Sequence, residues 1–205
     1  MKFGTVTHCT KGILEYVHTN VWGPIKTTSI GDNHYFVSFI NDYSRRCWVY
    51  TMKHKGEVLE LFVEWKKNLE KSTGRKIKIL RSNNGGESDP FLKLCRDEGI
   101  DMHFTVRETP QQNGVAERMN RTLLEKVRCM LSNTGISKSF WAEALAYAFH
   151  LINRLPSSAI GIKLLWRFGQ KKLLRIMIHY GYLGVQPTII PREISWTQGR
   201  EKVCL

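Results

Sequence analysis

Apolar positions fall into two regimes along the chain. The first part carries short dense runs bounded by turn residues, which predict strands. Ile13 to Val21 is the first, stopped by Gly23-Pro24. Tyr35 to Ile40 and Cys47 to Met52 follow, separated by the turn Asn41-Asp42-Tyr43-Ser44, a spacing that suits an antiparallel hairpin. Then the period changes: Val58, Leu61, Phe62, Trp65 and Leu69 recur at three and four. That predicts an amphipathic helix from Lys55 to Lys71, ended by Gly74. A fourth strand is expected at Ile77 to Leu80 and a short helix from Asp89, its N-cap, to Glu98. A fifth strand is expected at Met102 to Val106. Two helices close the pattern, Val115 to Leu131 and Lys138 to Arg154, the second with Ser139 as a cap. The order is β-β-β-α-β-α-β-α-α: a three-strand meander, then alternating helices and strands, forming a mixed sheet with helices packed on it. Beyond Ile162 no period is sustained.

Composition narrows the class. The chain has 205 residues, 42% apolar and 24% charged, enough for a real core and unlike a disordered polyampholyte. No run approaches the ~18 apolar residues of a membrane span, and the first twelve residues contain no apolar signal segment. The five cysteines are scattered singly with no C-x-x-C pair, which argues against a zinc site or a disulfide framework. A reduced, intracellular protein without a membrane association is the expectation. The net charge is +13, and it points to a polyanionic partner such as nucleic acid. Residues 1–162 carry +7 and residues 163–205 carry +6, so the tail holds nearly half of the excess.

Three segments carry candidate chemistry: Val17-His18-Thr19-Asn20-Val21-Trp22-Gly23-Pro24, Leu80-Arg81-Ser82-Asn83-Asn84-Gly85-Gly86-Glu87, and Thr109-Pro110-Gln111-Gln112-Asn113-Gly114-Val115-Ala116-Glu117-Arg118-Met119-Asn120. With Phe140-Trp141-Ala142-Glu143-Ala144 and Leu151-Ile152-Asn153-Arg154, they closely resemble the integrase catalytic core of copia-type LTR retrotransposon Gag-Pol polyproteins. The resemblance runs from about Lys2 to Ile162. It implies a ribonuclease-H-like α/β fold, with helices on both faces of the mixed sheet, in residues 1–162. It also implies metal-dependent polynucleotidyl transfer, joining element DNA to target DNA. In the family two Asp and one Glu hold two Mg2+ (or Mn2+) ions, hard cations that call for anionic oxygens. DNA is the implied partner, a homo-oligomer is expected, and the nucleus is the implied place of work. The family's zinc module precedes the core, and His8, Cys9 and His18 lack a second ligand at zinc spacing.

The resemblance places the triad at Asn20, Asn83 and Glu117, 63 and 34 residues apart. Both Asp positions are Asn, as is Asn41, where the family usually has Asp. A neutral amide cannot cancel cation charge, so only Glu117 remains as an anionic ligand and a catalytically dead centre is expected. Glu87 and Asp42 are the nearest sequence candidates for a rescuing carboxylate, neither at a triad position. About two residues are missing after Glu87 relative to the family. Carried over as DNA contacts are Gln112, Asn113, Asn120 and Arg121, with Lys126 and Arg107. Glu117, Asn120, Arg121 and Leu124 are expected to share a helix face. Two alternatives stand beside the inactive relic: a non-catalytic DNA-binding or interaction module, and a residually active integrase or nuclease.

Residues 163–205 differ from the family's continuation. With codons chosen freely and one adenine restored near Lys163, Lys163-Leu164-Leu165-Trp166-Arg167-Phe168-Gly169-Gln170 becomes K-T-P-L-E-V-W-S, which is how the family continues. The expectation is an out-of-frame, poorly ordered tail, whose charge then says little about a partner.

Overall fold

A computed structural model describes residues 10, 12–83, 89–105, 113–154, 156–157 and 163–164. Five strands form a mixed sheet in the order β3-β2-β1-β4-β5: β1 (Tyr16–Trp22), β2 (Tyr35–Asn41), β3 (Cys47–Met52), β4 (Ile79–Ser82) and β5 (Asp101–Phe104). The first three pair antiparallel as a meander, and β4 and β5 run parallel to β1. The helices are α1 (Val58–Thr73), α2 (Asp89–Asp97), α3 (Gly114–Thr134) and α4 (Trp141–Ile152). This is the expected element order.

Strand alternation assigns the two faces. Register pairs His18 with Ile40, Ile40 with Cys47, and His18 with Arg81. One face therefore presents Tyr16, His18, Asn20, Phe36, Ile40 and Cys47. Phe36, Ile40 and Cys47 join Ala116, Leu123 and Val127 of α3 and Trp141, Leu145 and Ala148 of α4 in one core. The opposite face presents Phe39 and Trp48 to α1 and α2. Phe39 stacks on Trp65 with centroids 4.5 Å apart, and Phe62 bridges to Phe91 at 5.0 Å. Helices thus cover both faces, and each aromatic buried this way removes ~150–250 Å² from water.

Element ends depart from the sequence pattern for local reasons. The strand expected from Ile13 begins at Tyr16, because Leu14 takes φ +66°, a left-handed conformation no strand accommodates. The strand expected from Ile77 begins at Ile79, because the Ile77 amide donates to Glu70 Oε1 at 3.0 Å instead of to a ladder. The helix expected from Lys55 opens with a 3-10 turn, Lys55–Glu57, in which Glu57 Oε1 accepts from the His54 amide at 2.7 Å. It ends as expected at Gly74, whose φ of +67° suits glycine. Before α4 the cap is Ser137 rather than Ser139: its Oγ accepts from the Ser139 amide at 3.4 Å. Lys66, buried in α1, is neutralised by Glu70 and Glu98, each 3.0 Å away.

Asn153 closes the outer edge of the sheet. β3 is an edge strand, and its Cys47 N–H donates to Asn153 Oδ1 at 3.0 Å while Asn153 Nδ2 donates to Cys47 O at 2.8 Å. One side chain thus satisfies both edge groups of a fully buried residue, 106 positions earlier. Further on, Pro156–Ser157 (β6) pairs antiparallel with Lys163–Leu164 (β7). Residues 165–205, most of the expected tail, lie outside the described residues.

Asn153→Ala should cost about 2 kcal/mol in urea unfolding, because it leaves a buried N–H and C=O unpaired. Exposed Tyr43→Ala should change stability by no more than ~0.5 kcal/mol.

Candidate active site

The parallel register of β1 and β4 ends at the pair His18–Arg81. Two residues beyond it on each strand stand Asn20 and Asn83, on the same sheet face as that pair. Asn83 Nδ2 donates to Asn20 Oδ1 at 3.1 Å. Asn113, fully buried at the start of α3, donates from Nδ2 to Asn83 Oδ1 and to the backbone O of Thr19, the latter at 3.2 Å. The three amides form a directional chain, Asn113 to Asn83 to Asn20, which fastens the helix to both strand ends. Glu117 lies one turn along α3 from Asn113, on the same side of the helix and half-buried. It has no hydrogen-bond or ion-pair partner among the described residues.

The chain depends on amide chemistry. An ionised carboxylate only accepts, so Asp at position 83 would lose the donor that reaches Asn20. Asp at both positions would also place like charges side by side, where two charges 4 Å apart repel by roughly 4 kcal/mol at an effective dielectric of 20. The residues present do not fit a divalent-metal centre. Two of the three positions are neutral amides bonded to each other. Among the described residues no group of three or more His, Cys, Asp or Glu could hold a metal ion.

Asp42, the sequence candidate for a substitute carboxylate, is committed elsewhere. Its Oδ1 accepts from His18 Nε2 at 3.0 Å and from Arg45 Nη1 at 3.1 Å, and its Oδ2 accepts from Thr10 Oγ1 at 2.9 Å. Its backbone amide donates to Tyr16 O. Burial alone would raise its pKa. The His18 hydrogen bond, the Arg45 charge and the Thr10 hydroxyl outweigh burial and hold it below the ordinary 3.8. Sequence reading missed this cluster, although His18 stands two residues before Asn20 on one strand face. Asn41 at the same turn accepts from the Ser44 amide at 3.0 Å, a role Asp would fill equally, and its Nδ2 is buried without a partner among the described residues.

The carried-over DNA contacts separate. Arg121 is exposed, on the outer side of α3 with Arg118, Glu125 and Arg128, and Lys126 is half-buried. Asn120 is a correction: it does not share the open face of Glu117 and Arg121. It is 0% exposed, in the sheet-facing stripe with Ala116, Leu123 and Val127, and both its side-chain polar atoms lack partners among the described residues. The spacing of 116, 120, 123 and 127 puts it there, so it cannot reach a DNA backbone from this position. Asn113 is likewise enclosed and holds the site together from within. Gln112, Arg107 and Glu87 lie outside the described residues.

Two outcomes follow. The double variant Asn20→Asp, Asn83→Asp should be about 1–3 kcal/mol less stable in EDTA, and Mg2+ should recover the loss in a melting curve, because a cation would bind only the folded pair. Asp42 has a depressed folded pKa, so its stabilisation is present above the ordinary value of 3.8 and is lost as pH falls through and below it. Urea unfolding of wild type and Asp42→Asn should therefore differ most near pH 7 and converge towards pH 3.

No protein-family model matches the chain. It is 47% identical over 166 residues to the Retrovirus-related Pol polyprotein from transposon TNT 1-94 of Nicotiana tabacum, an alignment covering 80% of the chain and 12% of that protein. It is 35% identical over 152 residues to the corresponding polyprotein from transposon RE1 of Arabidopsis thaliana, covering 73% of the chain and 10% of the relative. The chain therefore spans about a tenth of the length of these relatives. Among solved structures, an intasome of simian T-cell lymphotropic virus matches with TM-score 0.61 and 16% identity, over 94% of this chain and 63% of that one. The HTLV-2 integrase catalytic core domain, in complex with magnesium and in dimeric form, matches with TM-score 0.55 and 16% identity, over 75% of this chain and 94% of that one. The fold is that of an integrase catalytic core, a mixed five-stranded sheet with helices on both faces. With it and with 47% identity over four fifths of its length, the chain is a homologue of the retrovirus-related Pol polyproteins of transposons and has an integrase-like core.

Proposed function

We propose that the chain is a degenerate integrase core that keeps the fold and a DNA-contacting surface but has lost metal-dependent strand transfer. The observation that carries this reading is the amide chain Asn113–Asn83–Asn20. At the two positions where the family resemblance expects carboxylates, the side chains are neutral and bonded to each other. The HTLV-2 core was solved with magnesium; here Glu117 alone would offer an anionic oxygen at the triad. DNA affinity is supported by the net charge of +7 on residues 1–162 and by the exposed arginines of α3. Such contacts would engage phosphates and be insensitive to sequence. The dimeric form of that same core makes a homo-oligomer part of the proposal, and a nuclear place of work follows from the proposed DNA partner.

Strand transfer on short duplex DNA, in Mg2+ and in Mn2+, tests the reading. The unmodified chain should give no product above background, and the Asn20→Asp, Asn83→Asp variant should give detectable product. Product from the unmodified chain would overturn the inactive reading in favour of a residually active enzyme.

A further inference from the structure

We propose that Arg81, with Tyr16 and His103 around it, forms a phosphate-binding position for a DNA strand, on the sheet face that also carries Asn20 and Asn83. The inference rests on the DNA-binding part of the function proposed above and gives it a second location, away from α3.

The position is built from three adjacent strands. In register, Arg81 of β4 lies between His18 of β1 and His103 of β5. Arg81 Nη1 donates to Tyr16 Oη at 3.0 Å, and His103 Nδ1 stands 3.3 Å from the same oxygen. The Tyr16 ring lies 5.0 Å from the His18 ring and 5.7 Å from the His103 ring. Tyr16 and His18 are buried and form the floor; Arg81 is half-exposed and His103 exposed, so these two are reachable from outside.

Charge marks the place as unfinished. Two other enclosed cations have carboxylates: Arg45 pairs with Asp42 at 3.1 Å, and Lys66 with Glu70 and Glu98 at 3.0 Å. Among the described residues Arg81 has no carboxylate within 4 Å, and its Nε is enclosed with no hydrogen-bond partner. A neutral phenol is a weak substitute for an anion beside a half-buried guanidinium. Asp42 cannot serve, since its oxygens already accept from His18, Arg45 and Thr10. A phosphodiester supplies what is missing: anionic oxygens matched to a guanidinium fork, with His103 as a second donor at the rim. Strand geometry sets Arg81 about 7 Å from Asn83 along β4, so a backbone lying on the carboxyl ends of β1 and β4 would meet both.

The test is fluorescence anisotropy of a labelled duplex with the full chain in EDTA, across NaCl concentrations. Wild type should bind with a negative log–log salt slope. Arg81→Gln should reduce the magnitude of that slope by about one and weaken binding about five- to tenfold near 0.1 M salt, the effect of one lost phosphate contact. Arg81→Lys should keep the slope while losing part of the affinity, because the charge stays and the fork is lost. His103→Ala, a change at an exposed site, should weaken binding by less, and Lys71→Ala on α1 should leave it near wild type. Melting curves of each variant report folding; if Arg81→Gln fails to fold, Arg81→Lys and His103→Ala decide the question. Salt-dependent binding by wild type that Arg81→Gln leaves unchanged overturns this site alone. Absence of salt-dependent binding in wild type overturns the functional reading and this site with it.

Discussion

The parallel pairing of β1 with β4 is the constraint on which the rest depends. Residues 20 and 83 are separated by a hairpin, an edge strand and a sixteen-residue helix, yet the register Val17–Leu80 and His18–Arg81 leaves their side chains one hydrogen bond apart. A slip of one residue would turn one of them to the opposite face. The two apolar layers protect that register. Phe39, Trp65, Phe62 and Phe91 lock the crossover helix and α2 beneath the sheet, and Ile40, Cys47, Leu123 and Leu145 lock α3 and α4 above it. Asn113 then brings the start of α3 onto the two strand ends, so the geometry of the site is a by-product of strand register and helix docking.

Amides and carboxylates pose opposite problems to such a geometry. Two carboxylates side by side are acceptors without donors and like charges without a counterion; they need a cation to be comfortable when enclosed. Two amides carry both donor and acceptor and solve the problem by bonding to each other. The Asn113 amide, which could donate to either chemistry, donates to Asn83 here. The site is therefore held together by neutral side-chain hydrogen bonds, with Asn113 Oδ1 buried and unpaired among the described residues. At Asn41 the amide likewise leaves a buried polar atom, its Nδ2, unpaired among the described residues.

Much of this was legible in the sequence, and what was not has physical reasons. β3 reads directly from Cys47 to Met52, because a dense apolar run between turn residues has one interpretation. The start of β1 was not legible, since nothing in the residue identity of Leu14 announces a left-handed backbone. The start of β4 was hidden because a glutamate on the preceding helix takes the Ile77 amide. Asn120 was misplaced on α3 because the reading weighted polar character over position: the stripe 116, 120, 123, 127 buries it whatever its polarity. The clusters around Asp42 and Arg81 depend on cross-strand register, which pairs residues 24 and 65 positions apart. Register follows from the whole sheet and is not written in any one segment.

The same register explains how the recognisable segments serve the fold. Several residues that made the sequence recognisable hold the fold. Asn113 ties α3 to the strand ends, Asn153 seals the edge at Cys47, and Trp141 donates to Thr27 O at 2.9 Å beneath the helix start. Removing either asparagine would leave buried polar groups unpaired, a cost the protein bears whether or not it processes DNA. Asn20 and Asn83 are different. There two neutral amides bond to each other, where two carboxylates would repel. Strong resemblance across the motifs is then evidence for a retained fold, and evidence for activity must come from the few side chains whose charge the fold itself does not require.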